Sequence, residues 1–212
     1  MKVDIQSLDA RNQYKVMSSL VVPRPIALVS TMSPAGAHNA APFSLFNMFG
    51  EDPPVVIIGL QDHWEDRKVK DTTINVVETG EFVVNLVDED LAQAMNVCAT
   101  DFPEGTNETE IAGLTLAPSE KIKPHRIVEA PASLECRRIA VLQIAPQRKL
   151  AIGEVVMVHV RDGLMDPETL RIDIQAYKPV GRLFASLYTR TRDQFEMKMD
   201  SYQEWLEKNG TS

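Results

Sequence analysis

Two long stretches of strand-forming residues in the second half of the chain restrict the possible folds more than any other feature. Residues 135–145 and 150–160 are rich in aliphatic side chains, and Pro146-Gln147 supplies turn chemistry between them. Long strands joined by a turn pair as antiparallel neighbours, whereas alternating βαβ units need a helix between successive strands. The sequence therefore predicts a mainly β fold, a split β-barrel of the Greek-key type with about six to eight strands and flanking helices.

Prolines and apolar runs define the elements of the first half. A leading helix over residues 7–20 ends at Val22-Pro23-Arg24-Pro25, because proline is excluded from helix interiors. Residues 25–33 read as a strand buried on both faces, and a more polar segment over 39–47 pairs back as a hairpin. Residues 53–60 read as another buried strand.

Three helices are predicted in the remainder of the chain. Residues 71–79 form a short helix with Asp71 or Thr72 as N-cap and Gly80 at its end, although the β-branched residues leave a strand as the alternative. A strand over 81–87 precedes a helix over 89–99. The last helix spans Arg192 to Lys208 and packs on its own barrel or on a second subunit. Its large apolar residues, which fall on one face, are Phe195, Met199, Tyr202, Trp205 and Leu206.

Composition bounds the class of protein. The 212 residues contain no linker-like segment, so a single domain over 1–212 is expected. A net charge of -8 argues against a nucleic-acid groove. The start of the chain lacks the pattern of a signal peptide, and no run reaches the ~18 apolar residues of a membrane span, so a cytoplasmic protein without membrane partners is predicted.

Several kinds of functional motif are missing from the sequence. There is no GxGxxG or GxxxxGK[ST] motif, so any nicotinamide cofactor is not held in a Rossmann domain. GxSxG and HExxH are also missing. The cysteines, Cys98 and Cys136, form no CxxC pair and are expected to be buried thiols, and the four histidines have no metal-ligand spacing. No metal site is predicted.

The ordered motifs of the chain point to one family. Five motifs occur in a fixed order along the chain. They are Val22-Pro23-Arg24-Pro25-Ile26-Ala27-Leu28-Val29-Ser30-Thr31, Asn39-Ala40-Ala41-Pro42-Phe43-Ser44, Lys70-Asp71-Thr72, Ile152-Gly153-Glu154-Val155-Val156 with His159, and Lys178-Pro179-Val180-Gly181-Arg182-Leu183 up to Tyr188. This order resembles the flavin reductase-like family, which binds FMN in a split barrel and includes flavoredoxin and the reductase components of two-component monooxygenases. The resemblance implies a homodimer with FMN at the subunit interface.

The residue types suit the roles that the resemblance implies. Small residues let backbone groups reach a flavin ring, and a lysine with a hydroxyl at a helix start suits a phosphate. Lys70, Asp71 and Thr72 are expected near the phosphate, and Ser30 and Thr31 are expected to face the ligand from a rigid strand. The other expected cofactor-binding residues are Arg24, Asn39, Ala40, Ala41, Phe43, Ser44, His159, Arg182 and Tyr188.

The function implied is NAD(P)H-dependent reduction of flavin, with electrons passing to free flavin, oxygen, a monooxygenase or another acceptor protein. No catalytic acid or base is predicted, because the cofactor carries the chemistry. The alternative is an FMN-binding electron carrier of the flavoredoxin kind, fed by a partner protein. A barrel that has lost FMN and an oxidase acting on a pyridoxamine-phosphate-like amine are further alternatives. Phe184 stands where relatives often have glycine and is expected to restrict access to the flavin.

Overall fold

The computed structural model describes residues 1–61, 69–103 and 106–210. Its strands are β1 (Ala27–Met32), β2 (His38–Phe43), β3 (Phe46–Glu51), β4 (Pro54–Gln61), β5 (Glu81–Leu86), β6 (Leu116–Ala117), β7 (Arg126–Ile127), β8 (Ala132–Ala145), β9 (Arg148–Val160), β10 (Val180–Arg182) and β11 (Tyr188–Arg190). Among these described residues, seven strands form one antiparallel sheet in the order β2-β1-β5-β8-β9-β4-β3. The long hairpin predicted around Pro146-Gln147 is confirmed as β8 and β9.

A short link between the two outermost strands closes this sheet. β2 ends at Phe43 and β3 begins at Phe46, so only Ser44 and Leu45 connect opposite ends of the sheet. Each residue of an extended chain spans at most about 3.6 Å, and a link of this length therefore brings the two end strands together. The N–H of Gly59 on β4 donates to the carbonyl of Leu45 at 2.6 Å across this closure. The predicted fold class, a mainly β split barrel, is confirmed.

Five α-helices flank the barrel in the described part of the chain: α1 (Ala10–Leu20), α2 (Asp71–Thr79), α3 (Ala92–Val97), α4 (Glu108–Ile111) and α5 (Tyr202–Asn209). The helix predicted over 71–79 is confirmed, and Gly80 ends it in a left-handed conformation with φ of 73°. The leading helix is shorter than predicted and is capped by the Asp9 side chain, and the helix predicted over 89–99 is limited to α3. No helix of the described residues is long and apolar enough to cross a membrane.

Apolar side chains lie on both faces of the sheet. The barrel interior is filled by one cluster, Ala27, Val29, Phe43, Val56, Ile58, Leu60, Val76, Phe82, Val84, Cys136 and Ala151. A second cluster, Ile26, Leu28, Ala40, Val87, Leu91, Met95, Cys98, Ile127, Ala130 and Val180, covers the other face of β1 beneath α3 and β7. Strand β1 is therefore buried on both faces, as its sequence predicts.

A chain of buried polar side chains attaches the segment 119–127 to the second face of the sheet. Asn85 Nδ2 donates to the carbonyl of Leu28 at 2.9 Å and to Ser30 Oγ at 3.0 Å. Its Oδ1 accepts from the N–H of Ile127 and from Ser133 Oγ, both at 2.9 Å. Because all four bonds of the fully buried Asn85 are satisfied, this group stabilises the fold rather than costing free energy.

The C-terminal region differs from its prediction. The helix predicted from Arg192 begins only at Tyr202, where Ser201 and Glu204 form a capping box. Residues 191–201 carry no helix, and Phe195, Met197 and Met199 are 84%, 82% and 95% exposed. Helices in proteins are stabilised mainly by packing of an apolar face on other elements. The described part of the chain provides no surface that covers the apolar side chains of residues 191–201. We call residues 192–209 the C-terminal arm.

Replacing Asn85 tests the buried polar chain. In Asn85→Ala, the carbonyl of Leu28 and the N–H of Ile127 lose their partner in the core. We expect the free energy of unfolding to fall by at least about 2 kcal/mol, because each unsatisfied buried group costs about 1–3 kcal/mol. Urea unfolding monitored by circular dichroism measures the change. Asn96→Ala, at an exposed position of α3, is the matched control, and an equal loss in both variants would contradict the assignment.

Candidate functional site

Four buried amide and hydroxyl side chains join α2 to the β1–β2 hairpin. They are Thr31 on β1, Asn39 on β2, and Thr72 and Asn75 on α2. Asn75 Nδ2 donates to Thr31 Oγ1 at 3.0 Å, and the Asn39 amide lies 2.9 Å from Thr72 Oγ1. We call this group the amide–hydroxyl cluster. It holds the first turn of α2 in a fixed position beside β2.

The first turn of α2 has the properties of an anion-binding helix start. Lys70 is the N-cap and forms no side-chain cap hydrogen bond, while Asp71 at the next position is exposed. Thr73 Oγ1 is buried and has no hydrogen-bond partner among the described residues. The N–H groups of a helix start carry a partial positive charge, which favours an anion. The predicted grouping of Lys70, Asp71 and Thr72 therefore lies at one helix terminus, although the Thr72 hydroxyl is directed into the amide–hydroxyl cluster.

A carboxylate that is not among the predicted site residues also reaches this region. Glu108, the first residue of α4, accepts from the N–H of Ala40 through Oε2 at 3.3 Å. When the Asn39 amide is turned by 180°, its nitrogen donates to Glu108 Oε1 at 3.3 Å and its oxygen accepts from Thr72 Oγ1 at 2.9 Å. Burial raises the pKa of Glu108, and the nearby Asp71 carboxylate adds to this effect. Thr73 and Asn75 are further residues of this region that were not among the predicted cofactor-binding residues.

No local signal in the sequence marks Glu108. It follows Asn107, whose side chain caps α4, and a Glu in a first helical turn is common on helix energetics alone. Only the packing of α4 on β2 brings its carboxylate to Ala40. Asn75, by contrast, lies three residues after Thr72 on the same buried side of α2, and helical spacing identifies it once Thr72 is selected.

The small residues of β2 form the edge of the sheet at this site. β2 pairs with β1 on one side and is the outermost strand on the other. An edge strand presents backbone N–H and C=O groups that the sheet leaves unpaired. Ala40 is buried and Ala41 is partly exposed, so neither side chain obstructs approach to this edge. That residues 39–41 present backbone groups to a ligand stays a prediction.

Arg24 has a different environment from the one predicted. Its guanidinium donates to the carbonyls of Ser18 at 2.5 Å, Val21 at 3.1 Å and Leu183 at 2.6 Å. Arg24 is buried, and its backbone also pairs with Arg182. The side chain therefore ties the end of α1 to the segment after β10, and the described contacts give it a protein partner at each terminal nitrogen.

Phe43 and Ser44 separate in the structure. The Phe43 ring belongs to the core of the barrel, which does not support its expected role in cofactor binding. Ser44 lies in an open cleft of about 450 Å³. Most of the residues that line this cleft are apolar, but Arg148 and Lys149 also line it. Arg24 Nε donates to Ser44 Oγ at 3.4 Å from the side of this cleft.

Ser30 and His159 lie on the face of the sheet opposite to Thr31. Ser30 Oγ donates to the carbonyl of His125 at 2.7 Å, within the chain of polar groups described above. His159 Nε2 lies 2.5 Å from Oε1 of Glu135, which is fully buried. Successive residues of a strand point to opposite faces, so Ser30 and Thr31 cannot line one pocket. The two hydroxyls therefore point to opposite faces of β1, and the expectation that Ser30 and Thr31 both contact a ligand stays a prediction.

Arg182 and Tyr188 face each other across β10 and β11. The Arg182 guanidinium stacks on the Tyr188 ring, 4.4 Å from its centre, and also bonds the carbonyl of Ala185. Phe184, between the two strands, is 45% exposed. Tyr188 lines a cavity of about 460 Å³ with Glu89 and Val180, away from the residues of the amide–hydroxyl cluster. In the single chain the predicted residues thus occupy several places, and their role in cofactor binding stays a prediction.

Comparison with known proteins identifies the family. The model of the flavin reductase like domain matches residues 17–181, which include β1, the amide–hydroxyl cluster, α4 and β9. The chain belongs to the flavin reductase-like family. The resemblance drawn from the motifs between Val22 and Tyr188 is confirmed at this level.

Three solved structures illustrate the relationship of this family member to others. The Pseudomonas fluorescens 2-nitrobenzoate 2-nitroreductase is 37% identical with a TM-score of 0.87, and the match covers 95% of this chain and 98% of that one. Nitrilotriacetate monooxygenase component B from Bacillus cereus is 32% identical with a TM-score of 0.87, covering 93% and 98%. Flavoredoxin of Desulfovibrio vulgaris is 20% identical with a TM-score of 0.75, covering 96% and 100%, and shows a shared fold.

The buried Glu135 gives a pH-dependent prediction for this flavin reductase-like chain. Burial raises the pKa of Glu135, but bonds from the N–H groups of Glu120 and Lys121 and from His159 outweigh it, and the pKa lies below the ordinary value of 4.5. A carboxyl with a lowered pKa in the folded state stabilises the fold above its unfolded pKa, and loses this effect as the pH falls through the folded value.

We therefore expect Glu135→Gln to lower the free energy of unfolding near neutral pH by about 1.5–3 kcal/mol, the range for hydrogen bonds to charged groups. The variant and the wild type should converge as the pH falls below 4.5, where the carboxylate of the wild type becomes protonated. Urea unfolding at neutral and acid pH measures both effects. Glu120→Gln removes an exposed carboxylate of the same loop as control, and a difference between Glu135→Gln and wild type that is independent of pH would contradict the prediction.

Proposed function

We propose that this protein is an FMN-binding oxidoreductase that reduces flavin with NADH or NADPH. The observation that carries the proposal is the position of the α2 start directly beside the outer edge of β2, where no further strand pairs, in a chain of the flavin reductase-like family. One element offers donors suited to a phosphate, and the other offers backbone groups suited to a flavin ring. The proposal includes a single flavin-binding domain over residues 1–212 and a cytoplasmic location.

The residues at the start of α2 fit the phosphate of FMN. Lys70 forms no cap bond with its side chain, which leaves the first-turn N–H groups of the helix without a side-chain partner there. The Thr73 hydroxyl, also in this turn, is buried without a partner among the described residues. An anion with several acceptor oxygens meets both requirements, and the Lys70 ammonium supplies opposite charge. Lys70, Asp71 and Thr72 would hold the phosphate through the ammonium and the backbone N–H groups.

The edge of β2 fits the ring system of FMN. The pyrimidine part of a flavin carries alternating donors and acceptors, which complement the unpaired N–H and C=O groups of an edge strand. Residues 39–41 have small or inward-directed side chains and let a planar ring approach their backbone. When bound, FMN accepts a hydride from the nicotinamide and passes electrons to an acceptor. The chain's own contribution is to bind and orient the ring and to limit its contact with water.

The acceptor is proposed from the relatives. We propose a monooxygenase or another protein as the electron acceptor, because the chain is similar to nitrilotriacetate monooxygenase component B. A nitro-substituted aromatic acid is proposed as an acceptor because the chain is similar to the 2-nitrobenzoate 2-nitroreductase, and the mostly apolar cleft beside Ser44 suits an aromatic ring. A flavin-binding electron carrier fed by a partner protein remains the second candidate function, with exposed Phe184 restricting the approach of a nicotinamide.

Absorption spectroscopy of the purified protein with FMN tests the proposal. Bleaching of the flavin bands within seconds of anaerobic addition of NADH or NADPH supports the reductase and identifies its donor. Bands that persist with both donors but bleach with a reduced partner protein support the carrier. Reoxidation by 2-nitrobenzoate, compared with benzoate, tests the nitroaromatic acceptor. A protein whose spectrum and fluorescence show no FMN binding would overturn the proposal.

Lys70→Ala is expected to weaken FMN binding by about tenfold or more, because it removes a charge-assisted interaction with the phosphate. Fluorescence quenching of FMN measures the Kd. Riboflavin, which lacks the phosphate, should bind equally to the variant and the wild type. Lys2→Ala removes an exposed lysine outside the site as control, and unchanged FMN affinity in Lys70→Ala would remove the phosphate assignment.

The homodimer is proposed from the C-terminal arm. Its exposed apolar residues, Phe195, Met197, Met199, Tyr202 and Trp205, have little cover from the described residues of their own chain. Such a patch on a protein surface marks an interaction site, and a second copy of the chain is the partner that the family resemblance implies.

Deleting residues 192–212 is expected to shift the protein from dimer to monomer, because the apolar residues of the arm are lost from the proposed interface. Sedimentation velocity over a range of concentrations measures the association. Replacing Lys198 by Gln, within the same arm, is the control, since it leaves the apolar residues in place. A truncated chain that remains fully dimeric would place the arm outside the interface.

A further inference from the structure

The outer edge of β2 is already engaged by a side chain of the protein itself. Ala40 donates its N–H to Glu108 Oε2 at 3.3 Å, and Asn39, in one of its two amide orientations, donates to Glu108 Oε1 at the same distance. The Ala40 N–H is one of the backbone donors that the proposed function assigns to a flavin ring, and the Asn39 side chain holds the carboxylate beside it. We propose that the Glu108 carboxylate competes with the cofactor for the β2 edge and takes up a proton, or withdraws, when an anionic flavin binds. The inference rests on the proposed function.

The position of Glu108 follows from the fold. It is the first residue of α4, whose N-terminus is fixed by Asn107: the Asn107 side chain accepts from the N–H of Thr109 at 3.2 Å. α4 packs against β2, and Thr109 is buried in the contact. The carboxylate is therefore held at the strand edge by its backbone rather than reaching it from a mobile chain.

The charges around Glu108 are unfavourable for an ionised carboxylate. The group that faces it from α2 is the Asp71 carboxylate, and from the end of α3 it is the Cys98 thiol. Burial and the charge of Glu108 raise the pKa of Cys98 to about 11, so this thiol is neutral. On β2 the titratable residue is His38, which stacks on His125. Among residues 1–61, 69–103 and 106–210, no cation forms an ion pair with Glu108.

An anionic cofactor would add negative charge to this group. Lys70 and the start of α2 would hold the phosphate close to Asp71, the residue whose charge Glu108 already experiences. Burial has raised the pKa of Glu108 in the free protein, and a bound anion raises it further. The complex then binds more protons than the free protein, so affinity falls as the pH rises above the pKa of Glu108 in the free protein. The fall is limited to about tenfold per pH unit for one proton.

Glu108→Gln tests the inference because the amide keeps the size and an acceptor oxygen but has no charge. FMN binding by fluorescence quenching is measured from pH 5.5 to 8.5 for the wild type, Glu108→Gln and the control Glu110→Gln, which removes an exposed carboxylate from the same helix. We expect Glu108→Gln to bind FMN at least about tenfold more tightly than the wild type above neutral pH, with a difference that becomes smaller as the pH falls. Its pH dependence should be reduced to that of the FMN phosphate, while Glu110→Gln should follow the wild type.

The outcomes separate the two proposals. Equal affinities and equal pH profiles in Glu108→Gln and wild type, with FMN bound by both, would overturn the role of Glu108 and leave the proposed function intact. A gain of affinity that is the same in Glu110→Gln would show a general charge effect and also overturn it. No binding of FMN by the wild type at any pH would overturn the proposed function and this inference together. Glu108→Ala, which removes the acceptor as well, gives the same readout if Glu108→Gln fails to fold.

Discussion

The link of two residues between β2 and β3 is the constraint on which the rest of the structure depends. Because these strands lie at opposite ends of one sheet, Ser44 and Leu45 can connect them only if the sheet curls into a barrel. The barrel is split, because the two end strands do not pair and the outer side of β2 has no strand partner in the sheet. α2 and α4 pack at this edge, and the amide–hydroxyl cluster fixes their relation to it. The candidate site is therefore a product of barrel closure rather than of any single motif.

The charges around the candidate site are mostly negative. The chain has a net charge of -8, and the described residues bring two carboxylates, Asp71 and Glu108, to the neighbourhood of Lys70. Attraction by net positive charge is therefore not what distinguishes this place from the remaining surface. In the proposed function, directed hydrogen bonds from the helix start and from the strand edge supply the recognition of the cofactor, and the inferred competition by Glu108 makes that recognition sensitive to the protonation of this carboxylate.

The sequence predicts those features that local patterns control. Gly80 after nine helix-compatible residues fixes the end of α2, and Pro146-Gln147 fixes the turn between β8 and β9. The side chain of Arg24 is different, because its partner at Leu183 lies 159 residues away and no local pattern records it. Ser30 and Thr31 show a second limit: β1 is buried on both faces, so hydrophobic alternation cannot tell which hydroxyl faces the site. The start of α5 shows a third limit. The apolar residues before Ser201 have helical spacing, but no described surface covers them, and the helix begins only at Tyr202.

The attachment of segment 119–127 has a consequence for how this protein can change during evolution. Ser30, Asn85 and Glu135 bond to backbone atoms of the segment, at His125, Ile127, Glu120 and Lys121, and not to its side chains. Substitutions within the segment therefore leave the attachment intact so long as the backbone keeps its course. Substitutions at the three anchoring positions on the sheet remove it. The outward side chains of this surface can therefore change without loss of its attachment, whereas the three anchoring side chains cannot.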